Sequence, residues 1–163
     1  MADDGRRRPR PVGIEGDERS DARERALLLL YESASKGVSP RETIDAQVQR
    51  PDLMTRELVI GVAEHQERLD AEIAAHAKGW TLKRMPLIDL TVMRIAGFEL
   101  LGRPEVPVAV VLDEAVELAK RFSTDDSGRF VNGVLSALVP VLRPAGGPGP
   151  TVPAAQPDGR DHG

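Results

Sequence analysis

The stretch Val108 to Leu138, VAVVLDEAVELAKRFSTDDSGRFVNGVLSAL, decides how the rest of this chain is read. Leu112, Ala115, Val116, Ala119 and Phe122 recur at three- and four-residue spacing, which puts them on one face of an α-helix. Asp113, Glu114, Glu117, Lys120 and Arg121 face outward, and Glu117 precedes Lys120 and Arg121 in the favourable order for helix-surface pairs. Ser123 to Gly128 then breaks the pattern with residues that end one helix and cap the next. Phe130, Val131, Val134, Leu135 and Leu138 resume the helical face. Asn132-Gly133, taken alone, is a hairpin signal. The flanks do not alternate polar and apolar, so the helix reading wins. Gly133 is costly inside a helix, which predicts close approach of another backbone or a tight site on that face.

Working outward, every remaining segment reads as helix or loop. Asp21 as N-cap, with Glu24 three residues on, predicts the start of a first helix. Its core stripe is Ala26, Leu27, Leu30, Tyr31 and Ala34, widened by Leu28 and Leu29, and Lys36-Gly37 ends it. Ser39-Pro40-Arg41-Glu42 opens a short helix to Gln49, with Ile44 and Val48 inward. Pro51-Asp52 opens the longest helix, to about Lys78, along Leu58, Val59, Val62, Gln66, Leu69, Ile73 and Ala77. Gly79 stops it, and the lone tryptophan, Trp80, is expected to anchor the turn against the core.

From Pro86 to Leu101 the chain is apolar almost all round, which predicts a helix at the centre of the bundle. Arg94 and Glu99 are five residues apart, poorly placed to pair with each other, so each is expected to reach a neighbouring helix. Asp89 lies near the helix N-terminus, where the dipole stabilises a carboxylate.

The ends differ in character. Residues 1–18 carry the Arg6 to Arg10 run RRRPR and several acids with almost no apolar content, and are read as a disordered arm. The arm either contacts phosphate or is simply solvated. Residues 144–163 hold five glycines and five prolines and are read as a disordered tail. That leaves one domain, 19–143, long enough to bury a core without metal or disulfide.

Composition narrows the function. There are no cysteines, which excludes disulfides and thiolate metal sites and is compatible with a cytoplasmic protein. No apolar run approaches the ~20 residues of a membrane span. A net charge of −4 argues against broad electrostatic nucleic-acid binding, so any such binding rests on a local patch or a partner. His65, His76 and His162 are scattered, and no metal, phosphate-loop, dinucleotide or nucleophile motif occurs. Asp125-Asp126 reads as a helix cap before it reads as a Mg²⁺ site. The chain is therefore expected to be a binding protein, with no catalytic residues, metal or cofactor. Arg19, Arg23 and Arg25 sit at the N-terminal end of the first helix, where cations oppose the dipole. They are either phosphate contacts or ordinary solvated arginines.

Four separated pieces carry a resemblance. They are Ala22 to Tyr31 (ARERALLLLY), Glu57 to Gly61 with Leu69-Asp70, Val92 to Leu101 with Arg94, Phe98 and Glu99, and EAVELAKRF followed by FVNGVL. In this order they resemble the NusB family of bacterial transcription antitermination factors, over about residues 19–143.

The resemblance implies an all-α fold of about seven helices, packed as two three-helix bundles. It implies binding of boxA RNA in ribosomal RNA transcripts, together with NusE, a ribosomal protein of the small subunit, in an RNA polymerase antitermination complex. By the same resemblance Arg19 and Arg23 match an arginine-rich RNA-contacting segment. Arg129 and Phe130 match a basic-aromatic pair facing RNA, Asp126 an acid beside that surface, and Asp89 an acid at the NusE interface. Arginine on phosphate and an aromatic ring on unpaired bases is the physics expected for single-stranded RNA.

The chain departs from the family in placing Glu18, Ser20 and Asp21 among its arginines, with RRRPR further upstream. Some members self-associate through the RNA-facing side, which leaves a homodimer open. A helical protein–protein adaptor with little direct RNA binding is the alternative reading. The related N-terminal domain of an RNA cytosine methyltransferase is disfavoured, because nothing after Leu142 forms a cofactor-binding domain.

Overall fold

The computed structural model describes residues 14–144, with side chains from residue 18. Within them lie six α-helices: α1 (Ile14–Lys36), α2 (Pro40–Asp45), α3 (Leu53–His76), α4 (Leu87–Gly102), α5 (Val108–Phe122) and α6 (Asp125–Leu142). A 3-10 turn, Leu82–Arg84, joins α3 to α4, and no strand occurs among the described residues. Among the described residues no helix is long and apolar enough to cross a membrane.

Two groups of three helices share one hub. α1, α2 and α3 pack together, α5 packs on α6, and α4 touches α1, α3, α5 and α6. The apolar α4 accordingly buries Leu90, Val92, Met93, Ile95, Ala96 and Leu100 on several sides. The two charged residues expected to leave it do so. Arg94 pairs with Asp70 of α3 through Nε and Nη2 at 2.7 and 2.9 Å, and Glu99 pairs with Arg23 of α1.

Local signals set most boundaries. Ser39 Oγ accepts from the Glu42 backbone N–H, and Asp52 Oδ1 from that of Thr55 at 2.8 Å. Gly37 and Gly79 take positive φ (66° and 79°) just past α1 and α3, a backbone conformation that costs glycine little. The end of α6 is fastened from inside. Buried Arg143 donates to the carbonyls of Glu99, Leu100, Arg103 and Val106, and so satisfies the last turn of α4.

Several expectations are corrected. α1 begins at Ile14, so Asp21 lies exposed inside a helix and is no N-cap; residues 14–18 belong to α1. The rest of the N-terminal arm, 1–13, and the tail from 145 lie outside the described residues. α2 ends at Asp45, and Val48 is fully exposed. Leu28 and Tyr31 point out of the core, as do Ala34 and Gln66. Gly133 meets no close neighbour: a Cβ built there finds nothing within 4 Å. The close approach instead falls at Gly128, where a Cβ would lie 2.8 Å from the Lys120 side chain on α5.

Candidate functional site

The N-terminal turns of α6 are fixed by a reciprocal cap. Thr124 Oγ1 accepts from the Ser127 backbone N–H, and Ser127 Oγ accepts from that of Thr124, at 3.2 and 3.3 Å. The predicted capping turn is therefore present, with Thr124 as N-cap. Asp125 and Asp126 occupy the first turn and are exposed, in the position the helix dipole favours. One turn on, Val131, Val134 and Leu135 go inward, which leaves Arg129, Asn132 and Gly133 exposed and Phe130 at the rim. Asp126, Arg129 and Phe130 thus share the first two turns of one helix.

Phe130 does not stand alone. Its ring lies against the Trp80 indole, centroids 5.9 Å apart and planes at 55°. Trp80 is 50% exposed, so it is not the core anchor expected of it. Gly79 turns the chain out of α3 and presents Trp80 beside α6. On either side of Trp80 come Lys78, Lys83 and Arg84, all exposed. None of these three, nor Arg129, forms an ion pair among the described residues.

The other matched residues separate from this face. Arg19 is exposed on α1, next to Ser20, whose hydroxyl donates to Glu114 of α5 at 2.8 Å. Further along α1, Glu24 meets Arg121 at 3.2 Å, so side chains of this part of α1 reach α5. Arg23 is turned inward and only 2% exposed. Its Nε and Nη2 make three contacts of 2.9–3.1 Å with the Glu99 carboxylate, and Glu114 lies 3.9 Å from Nη1. That geometry gives Arg23 a role in joining α1 to α4 and leaves no guanidinium edge at the surface. Asp89 is also buried, in the first turn of α4, and its Oδ1 has no hydrogen-bond partner.

Two further features bear on function. An open cleft of about 680 Å³ between α3 and the end of α4 is lined by Arg41, Arg56, Glu57, Glu64, Phe98 and Arg103. Arg41 pairs with Glu64 and Arg103 with Glu57, so most of its cations are already neutralised. No group of three or more potential ligands for a metal ion occurs among the described residues. What sequence reasoning missed is the Lys78–Arg84 loop. Its signal, an aromatic residue between cations, was visible, but a single tryptophan in a turn is more often packing.

The fold and this surface define an all-helical binding module. A family model described as "NusB family" matches residues 20–140. The chain belongs to the NusB family. A transcription antitermination protein NusB of Saccharopolyspora erythraea is 47% identical over 126 residues, covering 74% of this chain and 85% of the relative. Among solved structures, T. maritima NusB superposes with a TM-score of 0.68 at 28% identity, covering 74% of this chain and 89% of that one. A crystal structure of the antitermination factors NusB and NusE in complex with dsRNA contains a chain matched with a TM-score of 0.66 at 26% identity. That match covers 79% of this chain and 99% of the other.

Proposed function

We propose that this chain is a transcription antitermination factor that binds boxA RNA of ribosomal RNA transcripts together with NusE, within an RNA polymerase complex. It acts by binding, not catalysis, and works in the bacterial cytoplasm. The observation that carries the reading is family membership over residues 20–140, joined to a structural match with the NusB–NusE–dsRNA complex. The exposed Asp126–Arg129–Phe130 turns are the RNA-facing surface in this reading. Arg129, exposed and without an ion pair among the described residues, supplies a cation for phosphate, and the rim of Phe130 an apolar ring for a base. Arg19 extends the surface along α1. Arg23 supports it only from inside, by fixing α1. Asp89 acts at the NusE side as a buried carboxylate at the start of α4.

The adaptor reading is favoured by one observation, the burial of Arg23, which removes an arginine from the RNA surface. The two are separated by anisotropy of a labelled single-stranded boxA-type RNA, titrated with and without NusE, beside an Arg129→Ala/Phe130→Ala variant. Sequence-selective binding that NusE strengthens and the variant loses is the expected result. NusE binding without selective RNA binding would leave the adaptor and overturn the RNA site.

A further inference from the structure

We infer that Trp80 and Phe130 form one stacking platform for unpaired RNA bases, with Lys78, Lys83, Arg84 and Arg129 holding the backbone around it. The inference rests on the RNA-binding reading above and extends it from α6 to the loop between α3 and α4.

Three observations converge. The tilted pair of rings joins two segments distant in sequence, with the indole half open to solvent. An indole that served only as packing would be largely covered, whereas Trp80 is half exposed although it touches Phe130. The flanking cations are exposed and form no ion pair among the described residues, unlike Arg41, Arg94, Arg103 and Arg121, each of which faces a carboxylate. They are also near. Chain geometry limits Lys78 to about 7 Å and Lys83 to about 11 Å from Trp80, Cα to Cα, and Arg129 adjoins Phe130. Aromatic faces ringed by cations are the arrangement that binds single strands, since every base offers a π-face and every linkage a charge. The chemistry favours RNA over a protein partner: a protein surface gains little from four unpaired cations around two rings unless it is strongly acidic.

Trp80 is the only tryptophan, so it reports its own contacts. The experiment uses the full chain and a 12-nucleotide single-stranded boxA-type RNA. It follows intrinsic fluorescence and RNA anisotropy for the wild type, Trp80→Leu, Trp80→Phe, Lys83→Ala/Arg84→Ala, and Arg129→Ala/Phe130→Ala, each first checked for helix content. The expected result is quenching of Trp80 by the single strand and weaker quenching by the same sequence in a duplex. Trp80→Leu should lose about tenfold in affinity with an unchanged salt slope. Trp80→Phe should recover most of that loss, and Lys83→Ala/Arg84→Ala should flatten the slope.

If Trp80→Leu binds as the wild type does while Arg129→Ala/Phe130→Ala loses binding, the RNA reading stands and the platform is overturned. Trp80 emission that responds to NusE and not to RNA overturns it in favour of a protein-docking face. If the wild type shows no selective RNA binding at all, the functional reading falls and the platform with it.

Discussion

Arg23→Ala is predicted to damage the fold, not the RNA surface. Arg23 and Glu99 are both almost fully buried, and three N–H···O contacts of 2.9–3.1 Å hold the guanidinium against one carboxylate. Truncating the arginine leaves Glu99 charged in the core, with Glu114 close to the vacated position. Breaking a buried pair from one side costs about 3–5 kcal/mol. A domain of this size has about 5–15 kcal/mol in total. At about 3–5 °C per kcal/mol, an interpolation between smaller and larger domains, the melting midpoint falls by roughly 10–25 °C. The double change Arg23→Met/Glu99→Leu removes both charges and should melt within a few degrees of the wild type or above it. Circular dichroism melts of the three proteins, with RNA anisotropy well below each midpoint, check this. An Arg23→Ala protein that melts like the wild type but no longer binds RNA would refute the reasoning and return Arg23 to the surface.

Two further substitutions follow from contacts already described. Gly133→Ala should raise stability by about 0.5–1 kcal/mol, because the position is helical, exposed and open around a new methyl group; a lower denaturant midpoint would show that the space is not open. Arg143→Ala removes the donor shared by four carbonyls at the junction of α4, α5 and α6. It should cost about 2–4 kcal/mol, seen as a lower urea midpoint at constant slope, and a change within 0.5 kcal/mol would count against the clamp.

The starts of α2, α3 and α6 were legible in sequence because caps are local, while the start of α1 and the end of α2 were not. Ser39, Asp52 and the Thr124–Ser127 turn need only neighbours two or three residues away. The hub was legible because α4 is apolar on nearly every side, and its two misfit charges, Arg94 and Glu99, had to find partners elsewhere. The phase of α1 was not. Ala26 to Tyr31 is one apolar run with no polar residue to mark the solvent side, and only packing on α3 and α4 leaves Leu28 and Tyr31 outside. The placement of the candidate site's residues was half legible. Asp126, Arg129 and Phe130 share a helix, so spacing brings them together. Arg23 defeated the same logic, because the partner that buries it, Glu99, is 76 residues away. Trp80 defeated it too, since nothing near it in sequence announces Phe130.

A net charge of −4 does not describe the field over the α6 face. Many of the acids are tied locally: Glu24, Glu57, Glu64, Asp70 and Glu99 each face an arginine within 3.2 Å. Such pairs cancel at short range. Beyond about 8 Å at physiological ionic strength, remaining surface charges are largely screened. On the proposed platform, the charge facing an RNA strand at Trp80 and Phe130 would be set by Lys78, Lys83, Arg84 and Arg129, offset by Asp125 and Asp126 at the helix start. This bounds the salt dependence. With about 0.7 counterions released per neutralised phosphate on a single strand, four cations give a log–log slope near −3. A salt titration of single-stranded RNA binding should fall at or above that value. A slope near −6 would mean that cations outside this face, Arg19 or the Arg6–Arg10 run among them, carry comparable contacts, and the binding surface would have to be redrawn to include them.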